Sequence, residues 1–504
     1  MTEAPLTIGR IAEVLRGAGL RVELRGEGDL SVSGVTQDSR RVSAGDLFLA
    51  WKGTAHDAHD FVPDAARAGA GAAMVERFLD VDLPQLRVDD GRTGAAVAAH
   101  LVLGEPSDRL FLAGVTGTNG KTTTVVLARH LLAGRGPSAA LGTLGLMGFD
   151  GKVRPGTESL TTPGPVEVSR RLAELAAEGA AAVALEASSH ALEQRRLDGL
   201  VFDAAAFTNL TLDHLDYHGT PDAYLRAKAR LLSLVRDEGG VVVNGNDRAW
   251  EGLPPTRARL LVARIEDGTE WKIPHGRERL PDLVARNLEV GGEGSRFRIA
   301  WGDEEADASV PLLGRFNVEN AIAAAGLALL AGLTLDEVTA ALAKAPPTPG
   351  RLEIAVRTPF TVILDFAHTP DALARVMETL RPLYSGRLIV VFGAGGDRDR
   401  TKRPEMGRVV ARSADLSVVT SDNPRTEDPE RILDDILEGM EGAPRERVVD
   451  RREAIARALE LARPGDTILL AGKGHETYQT VGTERLPFDE KKILRDLLDS
   501  GRAA

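Results

Sequence analysis

The octapeptide GTNGKTTT (117–124) follows the apolar run LFLAGV (110–115) and precedes a stretch of helical periodicity. A glycine-rich turn between a strand and a helix lets backbone N–H groups close on a phosphate, and the helix N-terminus adds positive potential there. Lys121 stands where an ammonium reaches the terminal phosphates of a nucleotide, and the Thr122 hydroxyl follows at the position that ligates its magnesium ion. Gly117, Thr118, Asn119, Gly120 and Thr123 complete the loop. The loop is a variant, because the strict GxxxxGK[ST] spacing calls for glycine at 115 and the chain has Val115.

Two further polar segments follow apolar runs: EASSHALEQRRL (186–197) and TNLTLDHLDYHG (208–219). Ligands of open α/β sheets bind at the carboxyl ends of strands. Glu186 and His214 would therefore flank the phosphate loop and could hold a second hard cation, with His190 and His218 close by in sequence. Taken singly, His214 reads first as a helix-start or turn residue, and the three histidines together shift it toward function. Lys228, in AYLRAKARLL, lies on an amphipathic helix where a lysine is ordinarily solvated. Asn317 and Asn320, in GRFNVEN, either cap the helix that follows or hydrogen-bond a purine.

Near the C-terminus, PGRLE (349–353) follows a turn-rich segment, and LDFAHTPDAL (364–373) places Asp365 and His368 in the exit loop of a strand. The alternative for Asp365 is a buried polar turn ahead of a helix starting at Thr369-Pro370-Asp371. GAGGDRDRTKRP (393–404) suggests a dinucleotide fingerprint, but the third glycine of GxGxxG falls on Arg398. Its cations Arg398, Arg400, Lys402 and Arg403 suit anionic groups or form a solvated basic loop. DNPRTEDP (422–429) offers the Asn423 amide and the Arg425 guanidinium, a fork that matches a carboxylate. AGKGHETYQ (471–479) supplies glycines for close approach and Glu476 for an ammonium. Together these loops could hold a zwitterion.

The elements that must position these groups alternate strand-like apolar runs with Ala/Leu/Arg-rich amphipathic stretches, the rhythm of an α/β fold with mostly parallel sheets. At 504 residues the chain exceeds a single core and predicts three domains. The turn Asp89-Asp90-Gly91 and the segment APPTPG (345–350) divide it into 1–91, 92–345 and 346–504. In the last part, strands are expected at 361–367, 387–393, 416–421 and 466–472. Hydrophobic residues at 43% and charged residues at 27% exclude disordered and collagenous classes. The 62 Lys+Arg against 74 Asp+Glu leave −12, which argues against a broad nucleic-acid footprint. With no cysteine, thiolate metal sites and cysteine nucleophiles are excluded, so a metal must use oxygen or histidine. No basic-apolar leader and no membrane-length apolar run occur, so the expected location is the cytoplasm.

Taken together, the motifs resemble the Mur ligase family across nearly the whole chain. They are DSR (38–40), GTNGKTTT, TTP (161–163), SSHAL (188–192), TNLTLDHLDYHG, GRFNVEN, PGRLE, DFAHTPD, GGDRDRTKRP, DNPR and GKGHE. The resemblance implies a uridine-nucleotide domain, a central P-loop-type ATPase domain and a C-terminal Rossmann-like domain that brings the amino acid. The implied reaction is ATP- and Mg²⁺-dependent amide formation on UDP-MurNAc-L-Ala-D-Glu through an acyl phosphate, by an enzyme expected to be a monomer. By motif, Glu186 and His214 join Thr122 on the metal, and Lys228 takes the position that the family carbamylates, to N6-carboxylysine. Asn320 matches the adenine contact, while Arg351, Asp365 and His368 match groups that reach ribose and phosphates. Ser39, Thr161, Thr162, Ser188, Gln194 and Arg196 match contacts to the nucleotide-peptide substrate. Arg398, Asp422, Asn423, Arg425, Gly472 and Glu476 match the set that holds meso-diaminopimelate, whose distal carboxylate gives Arg425 a partner that lysine or ornithine would not.

The chain departs from the family pattern at Phe366, where Tyr is usual, at Ala394, where Cys is common, and at Ala58, where Gly is usual. None of these removes a charged group. A ligase adding lysine or ornithine, a sister ligase sharing the central domain, and a P-loop switch or motor ATPase are the competing readings.

Overall fold

A computed structural model of the chain describes residues 6–53, 56–157, 160–211, 213–266 and 278–500. Leu212, inside TNLTLDHLDYHG, lies outside the described residues. The chain divides into two compact units, one comprising Met1–Asn287, Arg298–Ala308 and Glu319–Leu342, the other Leu288–Phe297, Ser309–Val318 and Ala343–Ala504.

The first unit carries two sheets. The N-terminal one has the strand order Val22–Arg25, Gln85–Val88, Ala72–Val75, Asp46–Leu49, Gly34–Thr36, parallel except at the first pair. Helix Ile8–Gly17 covers it with Ile8, Ile11, Ala12 and Leu15, an i, i+3, i+4, i+7 stripe. Helix Gly91–Val102, capped by Asp90 accepting from the Arg92 and Thr93 amides, buries Ala95, Ala98 and Ala99 in the same core.

Within the eleven-stranded central sheet, Arg259–Ile265, Val235–Asn244, Phe202–Phe207, Phe111–Thr116, Ala182–Glu186 and Ser138–Gly142 run in that order, all parallel, with Gly145–Met147 turning back antiparallel at one end. These strands are almost wholly buried, as parallel strands covered on both faces must be. Val115 pairs with Glu186 and Thr116 with Phe207, so the phosphate loop and the two polar segments leave the sheet at one edge.

In the second unit the four expected strands are present as Thr361–Asp365, Thr467–Ala471, Leu388–Phe392 and Leu416–Val419, in that parallel order. Glu353–Val356 adds an antiparallel edge and Arg445–Arg447 closes the other side. Alternate residues feed two cores, Ile363, Val390 and Leu469 facing helices Pro370–Leu380, Lys402–Ser413 and Pro429–Leu437, and Val362, Val391 and Leu470 facing Arg451–Leu461 and Glu490–Asp499. That is doubly wound architecture, with loops 366–369, 393–401, 420–428 and 472–477 at the carboxyl end. Among the described residues no helix is long and apolar enough to cross a membrane.

Candidate active site

The phosphate loop opens helix Lys121–Leu132 through Gly120, whose φ of 84° is a left-handed conformation that glycine adopts freely. No side chain caps this helix, whereas Thr220, Thr369, Asp428 and Asp450 cap theirs. First-turn N–H groups lack intrahelical partners, so this uncapped end is suited to an anion. The loop is strapped from the neighbouring strand end. Thr118 N donates to Asn209 O at 2.6 Å, Asn119 N to Asn209 Oδ1 at 2.9 Å, and Thr208 Oγ1 to Asn119 O at 2.7 Å. Tyr224 OH donates to Thr118 Oγ1 at 3.2 Å. Thr208, Asn209 and Tyr224 were not singled out from the sequence; the pair Thr208-Asn209 directly after an apolar run is the signal that could have found them.

Two lysines meet at this loop. Lys121 Nζ donates to the carbonyls of Gly117 and Thr118 at 3.0 and 2.9 Å, and Lys228 Nζ donates to the same Gly117 carbonyl at 2.7 Å. Lys228 is 1% exposed and lies 4.3 Å from the centroid of the Tyr224 ring, so the solvated alternative does not hold. Burial, reinforced by the charge of Lys121, pushes its ammonium well below the ordinary lysine value. His214, in a left-handed conformation at the start of the short helix Leu215–His218, stands beside them. Burial lowers its imidazole, opposed by Asp213, and both lysines lower it further. His190 lies 4.8 Å from His214 and 5.4 Å from His218 between ring centroids, and burial followed by those two neighbours holds it at about 4.

Glu186 closes its strand 1% exposed, accepting from Thr143 N at 2.9 Å and Thr143 Oγ1 at 3.1 Å. Thr143 Oγ1 continues to Thr161 Oγ1 at 3.3 Å. Thr162 Oγ1 donates to the Glu186 carbonyl at 2.6 Å and accepts from Ser188 N at 3.0 Å. Arg196 donates to the Thr162 carbonyl at 2.8 Å and to Gln194 Oε1 at 2.7 Å. Thr161, Thr162, Ser188, Gln194 and Arg196 thus form one network around Glu186. Ser39, on the turn Ser39–Arg41, is joined to it by no hydrogen bond among the described residues. Nor does any hydrogen bond or ion pair there link Glu186 with Lys228 or His214, and no cluster of three His, Asp or Glu is preformed for a metal among the described residues. Asn320 packs on the phosphate loop, its Oδ1 accepting from Thr124 Oγ1 at 3.4 Å. Asn317 instead donates back to the Leu313 carbonyl at 2.8 Å.

In the second unit, Asp365 ends its strand and accepts from Leu352 N and Ala367 N, both at 2.8 Å; burial pushes its carboxyl up, opposed by Arg351. Arg351 stacks 4.8 Å from the Phe366 ring, and His368 Nδ1 approaches the Phe366 carbonyl at 2.7 Å. His475 sits 5.2 Å from the same ring, where burial lowers it to about 4.

Of the four cations in GGDRDRTKRP, Arg403 is 1% exposed and held by Glu427 at 2.8 Å and Asp435 at 2.8 Å, while Arg400 pairs with Asp435 at 3.2 Å. Lys402 lies 4.0 Å from Asp399, and only Arg398 of the four is exposed without an acidic partner among the described residues. The sequence cluster is therefore mostly an internal ion-pair network. Asn423 Nδ2 donates to Glu476 Oε2 at 2.9 Å. Arg425, at φ 52°, is held by its amide on the Thr480 carbonyl at 3.0 Å and by Nη1 on the Gly396 carbonyl at 2.6 Å. Gly472, at φ 114°, faces the Asp422 carboxylate, which a Cβ there would approach to 2.7 Å.

An uncapped helix behind a glycine loop, at the carboxyl edge of a parallel sheet and beside a buried lysine, defines a phosphate-loop α/β enzyme. Residues 31–100 match the profile described as Mur ligase family, catalytic domain; 115–328 the Mur ligase middle domain; and 350–474 the Mur ligase glutamate ligase domain. A protein of Gloeobacter violaceus named UDP-N-acetylmuramoyl-L-alanyl-D-glutamate--2,6-diaminopimelate ligase is 41% identical, covering 98% of this chain and 99% of its own. One of the same name from Geobacillus kaustophilus is 39% identical over 93% of this chain and 95% of its own. A solved structure of that name superposes with a TM-score of 0.70 at 32% identity, covering 99% of this chain and 100% of the other. The chain belongs to the Mur ligase family.

Proposed function

We propose that this enzyme joins meso-diaminopimelate to UDP-MurNAc-L-Ala-D-Glu at the expense of ATP, in the synthesis of a peptidoglycan precursor. The observation that carries the amino-acid assignment is one strand-end cluster. We assign the Arg425 guanidinium, anchored through Nη1 on the Gly396 carbonyl, to the distal carboxylate, and the Asn423–Glu476 pair to an ammonium. The relatives' names, quoted above, support the same substrate pair.

The γ-carboxylate of the substrate's D-Glu attacks the γ-phosphate, ADP leaves, and an acyl phosphate forms. The amino group of diaminopimelate then attacks that carbonyl; the tetrahedral intermediate expels phosphate and the amine loses a proton. Lys121 and the uncapped helix end neutralise charge on the phosphates, with Gly117, Thr118, Asn119, Gly120, Thr122 and Thr123 lining the loop. Asn320, Arg351, Asp365 and His368 are assigned to the nucleotide. The network of Thr161, Thr162, Ser188, Gln194 and Arg196, with Ser39, is assigned to the nucleotide-peptide, and Arg398, Asp422 and Gly472 complete the amino-acid set. The donor chemistry fits Mg²⁺: a Thr122 hydroxyl, the Glu186 carboxylate and the His214 imidazole, with no thiolate. Magnesium usually takes one or two carboxylates together with substrate phosphates, so the single Glu186 carboxylate suffices in that set. When bound, the ion neutralises phosphate charge. The lowered Lys228 amine is the neutral form that would take up CO₂ and release a proton, giving an anionic carbamate able to join the metal set.

Residues 1–91, 92–345 and 346–504 are assigned to the nucleotide-peptide, ATP and amino-acid domains, with helix Gly91–Val102 packing on the first of these cores, in a cytoplasmic monomer that does not bind nucleic acid. The test is phosphate release from ATP and Mg²⁺ with UDP-MurNAc-L-Ala-D-Glu, comparing meso-diaminopimelate, L-lysine and L-ornithine, with the product mass measured. Release with diaminopimelate alone is expected; preference for lysine or ornithine would overturn the role of Arg425.

A further inference from the structure

Beneath the loops DNPR and GKGHE lies a buried layer of charge. Lys473 has a fully buried side chain, turned inward between Gly472 and Gly474, whose φ values are 114° and 54°. Its Nζ reaches Asn423 Oδ1 at 3.0 Å, Glu476 Oε2 at 3.3 Å and Asp422 Oδ1 at 3.4 Å. The first two are hydrogen bonds and the third is an ion-pair contact, so the ammonium is held on three sides by oxygen. Asn423 Nδ2 donates to the same Glu476 oxygen at 2.9 Å, while Asn423 Oδ1 also receives Thr480 N at 2.8 Å. Arg451 stands behind, its Nε on Glu490 Oε1 at 2.8 Å and its Nη2 on the Ala471 carbonyl at 2.8 Å, close enough to feel Asp422 and Glu476.

Three carboxylates, Asp422, Glu476 and Glu490, face two cations, Lys473 and Arg451, which leaves one negative charge. Glu476, with 17% of its side chain exposed, is the member that solvent reaches, against 7% or less for the others. A partly buried carboxylate that shares its cation, Lys473, with a second carboxylate favours a cationic ligand.

We propose that Lys473 is a positioning residue: it fixes the Glu476 carboxylate and the Asn423 amide in the arrangement that receives the ammonium of the incoming amino acid. The proposal rests on the ligase reading above. Without the Lys473 charge, Asp422 and Glu476 become neighbouring carboxylates with no cation between them, and Glu476 loses the contact that turns it toward the ligand. The polar partners of the Lys473 ammonium are Asn423, Glu476 and Asp422, none of them assigned to ATP, so formation of the acyl phosphate should not depend on Lys473.

The experiment is steady-state phosphate release by Lys473→Met, which keeps length and removes charge, with ATP, UDP-MurNAc-L-Ala-D-Glu and meso-diaminopimelate varied in turn. The KM for diaminopimelate should rise at least about thirty-fold, with kcat and the other two KM values within about three-fold. In a Glu476→Gln background the same substitution should add less than about three-fold, because the two side chains act as a unit. Lys473→Gln, neutral and polar, gives the same readout should the methionine variant not fold. An unchanged diaminopimelate KM, a parallel rise for all three substrates, or an equal factor in both backgrounds would overturn the proposal. Loss of folding in both variants would overturn it too, assigning Lys473 to stability. A wild-type enzyme that releases no phosphate with any amino acid would instead overturn the ligase reading, and this inference with it.

Discussion

Lys228→Met isolates the electrostatics of the phosphate-loop region. The wild-type ammonium is 1% exposed and shares the Gly117 carbonyl with Lys121, at 2.7 and 3.0 Å. Burial first and Lys121 second lower its pKa well below 10.5. Between that lowered value and 10.5 the unfolded chain holds a proton that the folded chain lacks, so unfolding takes up one proton and stability rises with pH. One proton corresponds to about 1.4 kcal/mol per pH unit. Methionine removes the titration while retaining most of the volume, and other groups cancel in the comparison. The difference in unfolding free energy, wild type minus variant, should therefore climb by about 1.4 kcal/mol per unit up to about pH 10 and flatten above it. Urea unfolding in CO₂-free buffer, followed by tryptophan fluorescence, measures it, since Trp250 is fully buried in the core of the same sheet. Equal pH slopes for the two proteins would refute a neutral, buried Lys228. In bicarbonate the variant should be inactive, and Lys228→Ala should recover part of its turnover with small carboxylic acids that imitate the carbamate.

Lys121→Ala should lower kcat for phosphate release by about a hundred- to a thousand-fold, and activity within a few-fold of wild type would remove Lys121 from the phosphates. Arg425→Ala should weaken selection of diaminopimelate over lysine by on the order of 2–5 kcal/mol, read as the ratio of kcat/KM values. Arg403→Met leaves Glu427 and Asp435 without their buried partner and should destabilise by about 3–5 kcal/mol with the diaminopimelate KM unchanged; a raised KM would return Arg403 to the ligand. The Arg403 guanidinium holds Glu427 at about 2, below the usual 4.5, so wild type should lose stability as pH falls from 4.5 toward 2. Glu427→Gln should lose less over that interval.

The phosphate loop and the strand-end positions of Glu186, DNPR and GKGHE were legible because each depends on an apolar run followed by a polar loop, written in consecutive residues. Lys228 was not, since an amphipathic helix does not disclose what lies against it. Only packing against the loop carbonyl and the Tyr224 ring makes that lysine a buried amine. Arg403 and Arg400 read as a basic loop because their partners, Glu427 and Asp435, lie 24 to 35 residues away on other elements. Lys473 hid inside a motif valued for its glycines.

Sequence alone thus determined the α/β class, the four central strands of the last sheet and the loops at their carboxyl ends, because hydrophobic periodicity and turn chemistry act over a few residues. Tertiary structure decided which charges are sequestered and which stay available. Helix Gly91–Val102, just past a turn that reads as a boundary, gives its alanines to the first core. Thr143 holds the Glu186 carboxylate across 43 residues. Burial and through-space fields depend on distances the chain acquires only when its elements pack, and they set the protonation and orientation on which the chemistry rests.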